Sequence, residues 1–89
     1  MISELQVTAV KPDRGLVAFA SMILNKSLYI GSIGVYKRLD GNGYRVVYPS
    51  KKIGDKQLNI YHPVNKELGL LIEHAVTVEC QKLFARNDG

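Results

Sequence analysis

Apolar and polar positions alternate through the first two-thirds of the chain, and a helical period takes over after residue 64. Leu5, Val7 and Ala9 fall on one face of a predicted strand over residues 5–10, with Thr8 and Val10 on the other. Lys11-Pro12-Asp13-Arg14-Gly15 reads as a turn, because proline presets its dihedral and glycine accepts positive φ. From Leu16 to Leu24 both faces are apolar, the mark of a central strand covered twice. Asn25-Lys26 turns the chain into a strand over 27–38, whose Gly31 and Gly34 predict a bulge, a sharp twist or a close approach by another backbone. Asp40-Gly41-Asn42-Gly43 is a hairpin signal, since Asn-Gly and Asp-Gly tolerate left-handed angles. A strand over 44–48, a loop over 49–55 and a short strand over 57–61 complete the β portion.

Asn65 is a good N-cap, and Glu67 sits in the first turn, where a helix dipole favours it. Leu68, Leu71, Ile72, Ala75, Val76 and Leu83 recur at helical spacing, so the pattern predicts a helix to about Arg86 and a frayed tail over 87–89. Gly69 weakens its first turn, and Glu79 falls near the middle of the apolar stripe. The expected fold is α+β: an antiparallel sheet of about five strands, then one C-terminal helix packed on one face. One helix covers one face only, so the doubly apolar strand over 16–24 predicts a homodimer that covers the other.

Eighty-nine residues make one domain spanning 1–89. A chain this short buries only about 60–65% of its unfolded surface, which also favours self-association. Cys80 is the single cysteine, so no intrachain disulfide forms, and a reducing compartment follows. Met1-Ile2-Ser3-Glu4-Leu5 has neither the basic nor the apolar segment of a secretory leader, and no apolar run approaches the ~20 residues of a membrane helix. The expected location is cytoplasmic.

Charge sharpens this picture. Residues 37–56 hold six bases (Lys37, Arg38, Arg45, Lys51, Lys52, Lys56) against two acids (Asp40, Asp55), which is the whole of the net +4. The remaining six bases and six acids cancel. Such asymmetry points to a polyanionic partner. Tyr36, Tyr44, Tyr48 and Tyr61 are interleaved with these bases, a combination suited to flexible or single-stranded nucleic acid. Strands are also rich in tyrosine for packing reasons, and lysines also keep a hairpin solvated.

The signatures of catalysis are missing from the sequence, so the chain is expected not to be an enzyme, with no metal site and no cofactor. His62 and His74 have no second ligand at metal spacing; His62 reads as a turn residue and His74 as a solvated helix position. Cys80 has no activating neighbour and reads as a buried, inert thiol. The glycines at 31, 34, 41 and 43 are not followed by a helix and form no phosphate loop. Glu79 reads as a structural ion pair rather than an acid–base group.

Five blocks give the chain a family likeness: Val7-Thr8-Ala9-Val10, Ala18-Phe19-Ala20-Ser21-Met22-Ile23-Leu24-Asn25, Ile33-Gly34-Val35-Tyr36, Pro49-Ser50-Lys51-Lys52 and Ile60-Tyr61-His62-Pro63-Val64-Asn65. In order and spacing they resemble the stage V sporulation protein G (SpoVG) family of septation regulators, from about Val7 to Leu83. The resemblance implies a small sheet-plus-helix protein that dimerises through its sheet, in a family of bacterial regulators of septation and sporulation, some of which bind DNA and RNA. It makes Lys51 and Lys52 candidate phosphate contacts, with Lys66 and Lys82 on a second candidate surface along the helix. The chain departs from the family pattern at Ala9, Asn25 and Asn59, often acidic in the family, and at Gly31-Ser32, where a His-Asp pair is common. The resulting expectation is a small dimeric nucleic-acid-binding regulator, through Lys37, Arg38, Arg45, Lys51, Lys52, Lys56 and Lys66. The alternative is a protein-interaction module of cell division whose basic segment serves solubility alone.

Overall fold

The structure, a computed structural model, describes residues 1–41 and 43–87. Asn42 of the expected hairpin turn, and the end of the expected frayed tail, lie outside the described residues. Six strands precede one helix: β1 (Ile2–Asp13), β2 (Leu16–Leu24), β3 (Leu28–Lys37), β4 (Tyr44–Val47), β5 (Ser50–Ile53), β6 (Lys56–Asn59) and α1 (Lys66–Asn87). β1 to β4 form one antiparallel sheet in the order β1-β2-β3-β4, and β5 and β6 form a separate two-stranded ribbon. The α+β class and the single packed helix are as the sequence predicted. The five-strand sheet is not, because the expected loop over 49–55 contains β5 and the opening of a hairpin.

Local chemistry accounts for the joints. At the β1–β2 turn Arg14 and Gly15 both take positive φ, 54° and 93°, as a tight hairpin of matching twist requires. β1 reaches Asp13, further than its alternation suggested, and tolerates Pro12 because it is an edge strand of the sheet. Asn25 and Lys26 repeat the left-handed pair at the β2–β3 turn, closed by the Ser27 amide donating to Leu24 O at 2.9 Å. The bulge foreseen near Gly31 sits between the pairs Ala20–Ile33 and Met22–Ile30, with Ser32 at φ 58°.

The core lies between the sheet and α1. Ala18, Ala20 and Met22 of β2 and Ile30, Ile33 and Val35 of β3 are buried in one cluster with Ile72, Val76 and Cys80 of the helix. Burying each large side chain contributes roughly 1.5–3 kcal/mol. The buried helical row runs Leu68, Ile72, Val76, Cys80, Phe84, and this differs from the predicted stripe. Leu71 is 42% exposed, and Glu79 lies on the flank of the row, with Lys82 at 3.6 Å. The four-residue step through Cys80 and Phe84 turns the stripe away from both. At the helix start the Leu68 amide donates to Asn65 Oδ1 at 2.8 Å, the predicted N-cap. Among the described residues no helix is long and apolar enough to cross a membrane.

Candidate nucleic-acid interface

The six bases of the 37–56 segment fall on two structures, not one. Lys37, Arg38 and Arg45 surround the β3–β4 hairpin. Lys51, Lys52 and Lys56 lie on the β5–β6 ribbon, every residue of which from Lys51 to Asn59 is exposed. Lys66 opens α1 and is exposed as well. The second group, expected on a loop over 49–55 and the short strand after it, stands instead on a paired ribbon of its own.

Pairing and alternation divide the hairpin cations between faces. Tyr36 pairs with Arg45 across the β3–β4 ladder, and the Arg45 guanidinium lies 5.0 Å from the Tyr36 ring centroid, a cation–π contact. Lys37 pairs with Tyr44, whose ring stacks on Phe84 of the helix at 6.0 Å, so this pair belongs to the helix side. Arg38 is engaged: its Nη2 sits 3.4 Å from Glu73 Oε1 on α1. That ion pair, between two partly exposed side chains, links the hairpin to the helix. Lys82, the other helix base, is on Glu79 at 3.6 Å.

The ribbon is an arm. Ile53-Gly54-Asp55-Lys56 closes it in two residues, with Gly54 at φ 62° in the first turn position, as in II′ hairpins. Its root is closed by the Ile60 amide donating to Pro49 O at 2.8 Å. Neither strand packs extensively on the sheet or on the helix. Register places Lys51, Ile53, Lys56 and Leu58 on one face, and Ser50, Lys52, Gln57 and Asn59 on the other. Gln57 Nε2 donates to Ser50 Oγ at 2.6 Å on the second face. Lysines therefore project from both faces, and Lys51, Lys52 and Lys56 have no carboxylate within ion-pair distance among the described residues.

Aromatic rings gather where the arm leaves the body. Tyr48, just before β5, meets Tyr61, just after β6, edge to face at 5.9 Å. The Tyr61 hydroxyl donates to Gly31 O at 2.5 Å, at the β3 bulge. The Tyr48 hydroxyl is buried with no protein partner. Burial raises both phenol pKa values above their ordinary one, with the Glu73 carboxylate adding to the rise at Tyr48. His62 Nδ1 lies 3.2 Å from Pro63 O, the local backbone contact expected of a turn residue. Tyr29, which the sequence did not single out, is 67% exposed beside these rings. Its one sequence signal is Gly31, where any Cβ would sit 2.7 Å from the Tyr29 hydroxyl.

Among the described residues no group of three or more His, Cys, Asp or Glu side chains lies together as a metal site would require. No protein-family model matches the chain, and no curated protein sequence matches it.

Proposed function

We propose that the chain binds the phosphate backbone of DNA or RNA through the β5–β6 arm, as a small dimeric regulatory protein of the kind its resemblance to the stage V sporulation protein G family implies. The observation carrying this reading is the arm itself, a projecting ribbon with Lys51, Lys52 and Lys56 unpaired. A two-stranded ribbon fits a nucleic-acid groove, and cations on both its faces reach phosphates on both walls. On the β3–β4 hairpin Lys37 adds a base on the helix side and Arg45 one on the opposite face, and Lys66 is a further exposed base at the helix start. Nothing in the arm's short polar side chains dictates a base sequence, so affinity comes chiefly from neutralised phosphates.

Each neutralised phosphate releases counterions, so affinity falls steeply with salt. Titrating a labelled oligonucleotide between 50 and 200 mM salt (about a fourfold change) measures this slope. Lys51→Ala and Lys52→Ala are each expected to lower the log–log slope by about one, while Arg38→Ala, whose charge is committed to Glu73, changes it less. Affinity indifferent to salt overturns the proposal.

One observation favours a second reading, a protein-interaction module of cell division. Ile53 and Leu58, on one face of the same arm, are 56% and 48% exposed, and Ile60 at its root is 64% exposed. On that reading partner capture survives nuclease treatment and is lost on Leu58→Lys, not on Lys52→Ala.

A further inference from the structure

A cavity of about 270 Å³ opens at the root of the arm, between β3, the arm's two root tyrosines and the start of α1. It is lined by Tyr29, Tyr48, Tyr61 and His62 together with Leu28, Leu68 and the buried Ile72. No acidic or lysine or arginine side chain lines it. Two polar groups of the wall are engaged, the Tyr61 hydroxyl on Gly31 O and His62 Nδ1 against Pro63 O, while the Tyr48 hydroxyl is buried without a protein partner. Such a site takes a neutral, flat, aromatic group, and the unpartnered Tyr48 hydroxyl is the polar atom of its lining left to meet that group's edge.

The neighbourhood supplies the rest of the ligand. Tyr48 precedes β5 and Tyr61 follows β6 by one intervening residue each, so at ~3.3 Å per residue Lys52 is no more than about 13 Å of chain from the pocket wall. An uncharged aromatic pocket beside unpaired ammonium groups matches a planar base carried on an anionic tether. We infer that the pocket receives one unstacked nucleobase of a single-stranded nucleic acid while the arm holds the adjoining phosphates. The inference rests on the phosphate-binding reading above and names the class of nucleic acid. Bases of a duplex are stacked and paired, and taking one out costs a few kcal/mol, so single strands are preferred.

Tyr29 is the stacking ring at the mouth, and its exposure makes it replaceable without loss of core. Gly31 sets its place: the ring folds over a position where a Cβ would lie 2.7 Å from the phenol oxygen and 2.9 Å from Cε2. Gly31→Ala therefore pushes the Tyr29 ring outward.

The test is anisotropy titration with single-stranded oligonucleotides, abasic oligomers of the same length, and the matching duplex. Base–aromatic stacking is worth ~1–3 kcal/mol by alanine substitution, so Tyr29→Ala is expected to weaken single-strand binding roughly 5- to 150-fold. The salt slope and duplex affinity stay as in the parent chain, Tyr29→Phe retains binding, and Gly31→Ala follows Tyr29→Ala. Abasic strands bind the parent chain as weakly as single strands bind Tyr29→Ala. If Tyr29→Ala binds single strands like the parent, or abasic strands bind equally well, the base pocket is wrong. The phosphate reading survives that result so long as Lys52→Ala still lowers the slope. Salt-independent binding of every probe removes both.

Discussion

Cys80 sits at the centre of the buried helical row, fully inaccessible, beside Val76 and the sheet. Burial pushes its thiol up to about 11, from an ordinary 9.0, with the Glu79 carboxylate adding to the rise. A raised value means that the folded chain keeps a proton the unfolded chain gives up sooner. The stabilisation is complete below pH 9 and is lost as pH climbs from 9 toward 11. At ~1.4 kcal/mol per pH unit, this amounts to about 2–3 kcal/mol across that window. The urea midpoint is expected to hold steady to pH 9 and then fall, with a shallower fall in Cys80→Ala. Native thiol should stay unmodified by iodoacetamide at pH 8 and react once urea unfolds the chain. Rapid native-state labelling would contradict this burial. The thiol was legible as inert from the sequence because it falls beside the apolar stripe of the helix, and solvent exclusion is the physical reason.

At the scale of elements, the strands with long alternation and the tight turns were readable, and the arm was not. Asn25-Lys26 announces its turn through a residue type that accepts left-handed angles, and Asn65 announces the helix through its capping oxygen. β5 and β6 have four residues each, and both are surrounded by solvent, so no buried face imprints a period on them. The signal that remained was Gly54-Asp55 between Ile53 and Lys56, a two-residue turn of the Gly-Asp type. Tyr29 was hidden for a related reason: its role depends on the bulge at Gly31-Ser32, a three-dimensional consequence of register. The helix start yields a prediction of its own. Gly69 lies in the first turn, and an added Cβ would meet only Pro63 Cγ at 3.6 Å, an ordinary contact. Gly69→Ala therefore removes glycine's entropic cost without a clash, and thermal or urea melts are expected to show a gain of about 0.5–1 kcal/mol. A loss of stability would mean that the Pro63 packing is tighter than this geometry allows.

For the whole molecule, the question is what covers the sheet face turned away from α1. Ala18, Ala20 and Met22 face the helix, so alternation and pairing turn Phe19, Gly34 and Val47 to the opposite side. Phe19 remains 42% exposed and Val47 39%. Gln6, Thr8, Ser21 and Ser32 share a shallow depression with Phe19 and with Tyr29, which stands at the border between this face and the pocket at the arm's root, so the face is less apolar than the doubly hydrophobic β2 sequence implied. A mixed face of this kind still suits self-association, since non-obligate interfaces are about as apolar as ordinary surface and gain from exposed aromatic rings such as Phe19. The chain extends 43 × 33 Å in its two longest directions, ample for the ~800 Å² per partner of a standard interface. We therefore propose that two copies pair through this face, with the arms free at the edges to hold one nucleic-acid strand between them. Sedimentation at micromolar concentration is expected to give twice the 9.9 kDa chain mass, and Phe19→Glu, at an already exposed position, is expected to return a folded single chain. A pair of arms also raises the effective concentration of the second contact, so the monomeric variant should lose nucleic-acid affinity by about 10²-fold or more while each arm keeps its salt dependence. A parent chain that sediments as a folded monomer throughout, with unchanged affinity in Phe19→Glu, would assign that face to solvent.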